Sequence, residues 1–307
     1  MIDRGIPIHV VQLIAYWYQT QELQVRWGNS LSDKFKVTNG IRQGGILSPY
    51  LFNLILDNLS KELNLAKVGC HAGSILINHL SYADDMLLIA PSAKGLQKLL
   101  SICSSFAIKN DIVYNTEKTK CMIFWPRVYI KEKVKIFLQG EQLSFVDEFK
   151  YLGVVIVSNL SDDVEMGKRV RSIYAAGNTL ISNFRKCDES TKILMFKTYC
   201  YNVYGMSLWS SYRVTSHARI KIAHNDIFRT LMNVPRFDSA SSLFVQKGVN
   251  NMDVLLRNSM YSLMDRLLCS SNSLVEALCN SEVRVHSKIW QRWAIALGVE
   301  WEVIMRY

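Results

Sequence analysis

Two adjacent carboxylates stand in the stretch Ser81-Tyr82-Ala83-Asp84-Asp85-Met86-Leu87-Leu88-Ile89-Ala90. Neighbouring carboxylates repel, and a divalent cation relieves that repulsion while it holds substrate phosphates. Acids at a hydrated turn are the plainer alternative, so the Asp84-Asp85 pair alone leaves both readings open. The elements that would position it are short apolar runs. Ile75, Leu76, Ile77 and Leu80 precede the acids, and Met86 to Ala90 follow them. Gly73-Ser74 and Pro91-Ser92 bound the two runs, so the pattern predicts a β-hairpin with the acids at its tight turn.

Upstream lies Gly40-Ile41-Arg42-Gln43-Gly44-Gly45, where three glycines permit positive φ and close approach of a ligand to the backbone. Ser48 then reads as an N-cap with Pro49 at the first helical position, and the helix runs to about Leu65. Its apolar face is Leu51, Phe52, Ile55, Leu59 and Leu63. An ordinary turn before a capped helix is the alternative. Further helices are predicted over 8–18, 95–108, 193–209, 220–232 and 252–269, with one from about Asp162 and one or two within 283–301. Short strands are predicted near 23–27, 35–37, 121–125, 137–138 and 151–157. Strands and helices mix before about Asp162 and helices alone follow, which makes the class α+β. The aromatic stripe Phe196, Tyr199, Tyr201, Tyr204 and Trp209 reads as core before it reads as a base-stacking platform.

The 307 residues are 49% hydrophobic and 20% charged, enough for a packed core in one large or two modest domains. No apolar run approaches the length of a bilayer span and no signal-peptide pattern opens the chain, so an intracellular protein is expected, with nucleus or cytoplasm left open. Seven cysteines without a Cys-x-x-Cys point to reduced thiols. Cys70-His71 with His79 fits no usual zinc spacing. Net charge is +10, and between Met166 and Arg236 twelve Lys and Arg face three acids. That excess suits a polyphosphate partner, or a solvated helical face.

Gly40, Gly44, Ser48, Pro49, Leu51, Phe52 and Asn53, followed by Tyr82-Ala83-Asp84-Asp85, resemble the reverse transcriptases of non-LTR (LINE-type) retrotransposons. Asn115-Thr116-Glu117-Lys118-Thr119, Phe149-Lys150-Tyr151-Leu152-Gly153 and Pro235 to Ser241 then fall in that family's order, so the resemblance covers nearly the whole chain. It implies a partial polymerase palm, an antiparallel sheet with packed helices, over 1–158 with part of the fingers. A helical thumb-like region over 159–235 and a helical C-terminal extension over 236–307 would follow. Partners would be an RNA template, a DNA primer and deoxynucleoside triphosphates, with Mg²⁺ as cofactor and Mn²⁺ as an alternative. The resemblance makes Asp84 a metal ligand and Asp85 a secondary one. It places Arg42, Gln43, Gly44, Tyr82 and Lys118 at the nucleotide and template, Tyr151, Leu152 and Gly153 at the primer end, and Lys168, Arg169 and Arg171 on nucleic acid. Asn110-Asp111 departs from the family's Gly-Leu, which leaves that turn open.

In that family another catalytic Asp comes from a strand well before the glycine-rich segment, and no such strand is visible here. Asp3 has a two-residue lead, too short for a paired central strand. The expectation is an N-terminally truncated reverse transcriptase with little or no activity alone. Loss of that strand would leave a sheet edge open beside the hairpin and favour aggregation. The alternative is a non-catalytic RNA- or DNA-binding remnant, or a scaffold, that uses the basic helical half.

Overall fold

The computed structural model describes residues 1–37, 40, 44–124 and 134–297. The chain divides into two compact units, Met1–Cys70 with Leu76–Val113, and His71–Ile75 with Tyr114–Tyr307.

In the first unit, α1 (Ile8–Gln19) begins after Pro7, which occupies the cap. An interrupted hairpin follows. Its inner ladder pairs β2 (Arg26–Trp27) with β3 (Ser30–Leu31) around Gly28, and its outer ladder pairs β1 (Glu22–Leu23) with β4 (Phe35–Lys36). Helix α2 spans Ser48–Leu65. The short strands β5 (Cys70–Ala72) and β6 (Ile75–Ile77) come next in the chain, with His71–Ile75 grouped in the second unit. They are followed by the hairpin β7 (His79–Tyr82) and β8 (Asp85–Leu88), then α3 (Ala93–Lys109). Helix α3 is capped by Ser92, whose Oγ accepts from Gly95 N at 3.1 Å. Leu59 and Leu63 of α2 pack with α3, where Leu99, Leu100, Cys103, Phe106 and Ala107 are buried at helical spacing.

Ser48 departs from expectation. It is the first helical residue and buried, and Leu47 holds the cap position with helical dihedrals and no side-chain capping bond among the described residues. The backbone has begun to wind at Gly45, whose carbonyl accepts from Ser48 N at 3.2 Å.

The second unit opens with small ladders. Strand β9 (Lys120–Cys121) lies parallel to β12 (Ser144–Phe145). β10 (Phe137–Leu138) pairs with β11 (Glu141–Gln142), and β13 (Glu148–Tyr151) with β14 (Val154–Val157). The helices are α4 (Asp163–Phe184), α5 (Glu189–Cys200), α6 (Val214–Leu231), α7 (Ala240–Gln246), α8 (Met252–Leu268), α9 (Ser273–Asn280), α10 (Val283–His286) and α11 (Lys288–Leu297). The class is α+β, as the sequence implies. Its strands, among the described residues, form separate two-stranded pairs rather than one larger sheet.

Helix α4 packs along α6, and Gly177 allows the approach, because a Cβ there would overlap three side-chain carbons of Ile227. Phe228 stacks on Phe244 and meets Phe196 at a tilt, each at 4.7 Å between ring centroids. Met166, Ile173, Leu180, Trp209 and Met252 complete this core. The helix expected over 193–209 ends at Cys200. Val203, Met206 and Trp209 are nonetheless buried, Val203 from the loop before Gly205 (φ 80°) and the other two from the 3-10 turn after it and its end, so the apolar pattern outlasts the helix. Phe196 and Trp209 of the aromatic stripe are core, whereas Tyr199 and Tyr204 are more than half exposed. All seven cysteines are free thiols. Burial pushes those of Cys121 and Cys200 up to about 11, so both stay protonated at neutral pH. Among the described residues, no helix is long and apolar enough to cross a membrane.

Candidate functional site

The acids sit where the sequence puts them, at the end of a tight hairpin. Strands β7 and β8 pair His79 with Leu88, Leu80 with Leu87, Ser81 with Met86 and Tyr82 with Asp85. Ala83 and Asp84 form the two-residue turn, and Ala83 takes φ 52°. A two-residue hairpin loop requires a positive φ at its first central position, and a Cβ there crowds the following carbonyl at a cost of about 1 kcal/mol. Tyr82, Asp84 and Asp85 are exposed, and neither carboxylate makes a hydrogen bond or ion pair with a described residue.

The base of the hairpin is pinned by a residue that the pattern of apolar runs passes over. Asn78 separates β6 from β7 and is buried. Its Nδ2 donates to the carbonyl of Leu63 in α2 at 2.7 Å, its Oδ1 accepts from His79 Nδ1 at 2.7 Å, and its backbone carbonyl accepts from Ile89 N at 2.8 Å. Gly69 allows this packing, since a Cβ there would lie 2.6 Å from Asn78 Cβ. Burial holds the imidazole of His79 below the ordinary histidine range, so it is neutral beside the amide. A polar residue between two apolar runs is the one signal that could have drawn attention to it.

Two adjacent carboxylates facing solvent suit one hard divalent cation that keeps several of its waters. No third His, Cys, Asp or Glu joins them into a metal-binding group among the described residues. Asp3 lies in a single 3-10 turn, Ile2–Arg4, and not on a strand. Gly44 is exposed, with φ 80°, shortly before α2. Arg42 and Gln43 lie outside the described residues.

In the second unit, Lys118 is exposed in a turn closed by Asn115, whose Oδ1 accepts from Lys118 N at 3.0 Å. Tyr151, Leu152 and Gly153 form the end of β13 and the turn into β14, with Leu152 at φ 45° and Gly153 at φ 83°. Three side chains hold that turn. Arg169 Nη2 donates to Gly153 O at 2.8 Å, Tyr204 Oη donates to Leu152 O at 2.8 Å, and Glu165 Oε2 accepts from Val155 N at 2.8 Å. Arg169 also pairs with Glu165 and lies 5.3 Å from the centre of the Tyr204 ring. Its guanidinium is thus engaged within the protein, unlike Arg171, which is exposed, and Lys168, which is half-buried. Glu165 and Tyr204 escape a sequence reading based on charge excess, although the i, i+4 spacing of Glu165 and Arg169 announces their pairing. Elsewhere in the basic stretch, Arg213 pairs with Asp163, Lys221 with Asp253, and Arg229 and Arg236 with Asp226. The free positive charge is smaller than the count suggests.

Residues 3–156, just over half the chain, match the family model described as reverse transcriptase (RNA-dependent DNA polymerase). The chain is 30% identical over 159 residues to a retrovirus-related Pol polyprotein from the type-2 retrotransposable element R2DM of Drosophila melanogaster, a match covering 49% of this chain and 15% of that protein. It is 22% identical over 283 residues to the RNA-directed DNA polymerase from mobile element jockey of Drosophila funebris, covering 87% of this chain and 30% of that protein. A probable RNA-directed DNA polymerase from transposon X-element of Drosophila melanogaster is 23% identical over 299 residues, covering 91% of this chain and 31% of that protein. The chain therefore spans less than a third of the length of these relatives. With the family match resting on the segment that carries the glycine-rich bend, the Asp84-Asp85 hairpin and the Leu152-Gly153 turn, the chain belongs to the reverse transcriptase (RNA-dependent DNA polymerase) family.

Proposed function

We propose that this chain carries the palm (1–158), thumb-like (159–235) and C-terminal (236–307) portions of an RNA-directed DNA polymerase, with Asp84 as the principal ligand of Mg²⁺ or Mn²⁺ and Asp85 as the secondary one. The observation that carries the reading is the exposure of both carboxylates at a hairpin tip, with no partner among the described residues. When bound, the cation supplies Lewis-acid stabilisation of charge on a nucleoside triphosphate. Asp84 and Asp85 contribute negative charge and oxygen ligands. Tyr82, opposite Asp85, offers an exposed ring beside them. Lys118 places a point cation for the triphosphate, and the turn at Tyr151, Leu152 and Gly153 holds the primer end. Arg42, Gln43 and Gly44 face the incoming nucleotide and the template strand, and Lys168 and Arg171 contact phosphates of the nucleic acid.

Nucleotidyl transfer by two ions needs carboxylates beyond one adjacent pair, and among the described residues no third His, Cys, Asp or Glu joins Asp84 and Asp85. We therefore infer low polymerase activity for this chain by itself. The same observation favours the second reading, a nucleic-acid-binding remnant. Primer extension on an RNA template with Mg²⁺, comparing the chain with Asp84→Ala, separates the two. Weak extension abolished by the substitution supports the polymerase, and extension unchanged by it overturns that reading. Mn²⁺-induced NMR line broadening centred on residues 82–86, lost in Asp84→Ala, tests the metal site without turnover. For nucleic-acid binding itself, affinity must fall steeply with salt, and a flat response overturns both readings.

A further inference from the structure

A cavity of about 460 Å³ opens between α6, α8 and α11, bounded by Tyr212, Arg257, Arg292 and the apolar side chains of Leu256 and Met260. That volume falls in the range of small-ligand sites. Its charges are unevenly satisfied. Among the described residues its wall carries one carboxylate, Asp253, which is taken by Lys221 at 2.6 Å. His217 lies 3.5 Å from the same carboxylate, but burial holds its imidazole below the ordinary histidine range, so it adds little charge. Arg257 is exposed and Arg292 half-buried, and neither has an acceptor among the described residues.

Arg292 is also held in place. Its guanidinium carbon lies 4.4 Å from the centre of the Tyr212 ring, and the same ring stacks on His217 at 5.7 Å. A guanidinium fixed over a ring loses little freedom when an anion binds, and its planar fork suits phosphate oxygens. With the Tyr212 ring already engaged by His217 and Arg292, the cavity is better suited to a backbone phosphate than to a stacked base.

We propose that this cavity binds one phosphodiester of a single-stranded nucleic acid, with Arg257 and Arg292 on the phosphate and Leu256 and Met260 against the sugar. The proposal rests on the nucleic-acid-binding part of the function above and gives it a location. A strand is favoured over a free nucleotide because α6 continues the positive charge beyond the cavity, with Arg219 exposed and unpaired among the described residues.

The test uses the full chain and a fluorescent single-stranded RNA of about twelve nucleotides. Affinity is measured against salt for the parent, Arg257→Gln and Arg292→Gln, with circular dichroism to verify folding. Each substitution is expected to weaken binding about tenfold and to lower the slope of log affinity against log salt by about 0.7, the value for one phosphate contact on a single strand. Arg257 is exposed and holds no other described residue, so its variant remains informative if Arg292→Gln unfolds. Parent binding with an unchanged slope in Arg257→Gln overturns the cavity and leaves the wider reading standing. No binding by the parent overturns both. A uridine monophosphate competitor identifies the source of the phosphate. Displacement only at concentrations far above the strand's own supports a strand, whereas displacement at equal concentration overturns it in favour of a free nucleotide.

Discussion

Arg169 and Gly153 are joined by a hydrogen bond of 2.8 Å from the guanidinium Nη2 to the backbone carbonyl, and the same guanidinium is paired with the buried carboxylate of Glu165. Removing one member of such a pair leaves an uncompensated charge out of water. Arg169→Ala is therefore expected to destabilise the chain by about 3 kcal/mol, read by urea denaturation, the low end of the range for buried pairs. The double change Glu165→Gln with Arg169→Gln is expected to recover a large part of that loss. In an RNA-binding titration against salt, Arg169→Gln leaves the slope unchanged, whereas Arg171→Gln lowers it. An equal drop for both would show that Arg169 is free to meet phosphate.

Asn78 carries the attachment of the hairpin to α2. Asn78→Ala leaves the Leu63 carbonyl with Ala66 N as its donor among the described residues and strands the Nδ1 of His79, which is partly buried. The expected loss is about 1–3 kcal/mol, the cost of an unsatisfied buried polar group. Amide exchange over residues 79–88 is expected to speed up in the variant, while exchange in the helices after residue 160 is unchanged. Uniform acceleration along the whole chain would refute Asn78 as a local peg.

Gly177 sets the spacing of α4 and α6. Gly177→Ala is expected to cost about 1–3 kcal/mol through overpacking against Ile227. The partner change Ile227→Ala makes room for the new methyl, so the pair of substitutions is expected to cost less than the sum of the two measured singly. Strict additivity in denaturant melts would show that the two positions do not meet.

His224 gives the helical core its acid sensitivity. The ring is fully buried among Phe196, Tyr201 and Phe244, and burial lowers its pKa from 6.5 to about 4. The folded form binds the proton less readily than the unfolded chain, so stability is intact above pH 6.5 and falls as pH drops toward about 4. At about 1.4 kcal/mol per unit, the loss across that window approaches about 3 kcal/mol. His224→Phe keeps the ring packing and removes the titration. Its unfolding free energy is expected to be flatter between those two pH values, and an unaltered acid limb would assign the sensitivity elsewhere.

The sequence showed the hairpin plainly, because two short apolar runs bounded by turn formers flank an acid pair. It showed the helical half equally well through its 3.6-residue spacing. Other features depend on distant parts of the chain meeting. Asn78 looks like a polar interruption until Leu63 is seen beside it. Tyr204 belongs to an aromatic stripe that reads as core, yet it reaches out to the Leu152 carbonyl. The helix expected to run to Trp209 stops at Cys200, because burial of Val203, Met206 and Trp209 from a loop mimics helical periodicity. Arg169 counts as one more positive charge until Glu165, four residues earlier, is placed against it.

The bare tip of the β7–β8 hairpin has an evolutionary consequence. Nothing in the packing or bonding of the described residues requires carboxylates at positions 84 and 85, so folding exerts no pressure to keep them. In a lineage that had stopped using the chemistry, these two codons would be among the first to drift, while Asn78 and Glu165 would be retained for as long as the protein folds. Persistence of both acids across descendants would thus report use rather than architecture.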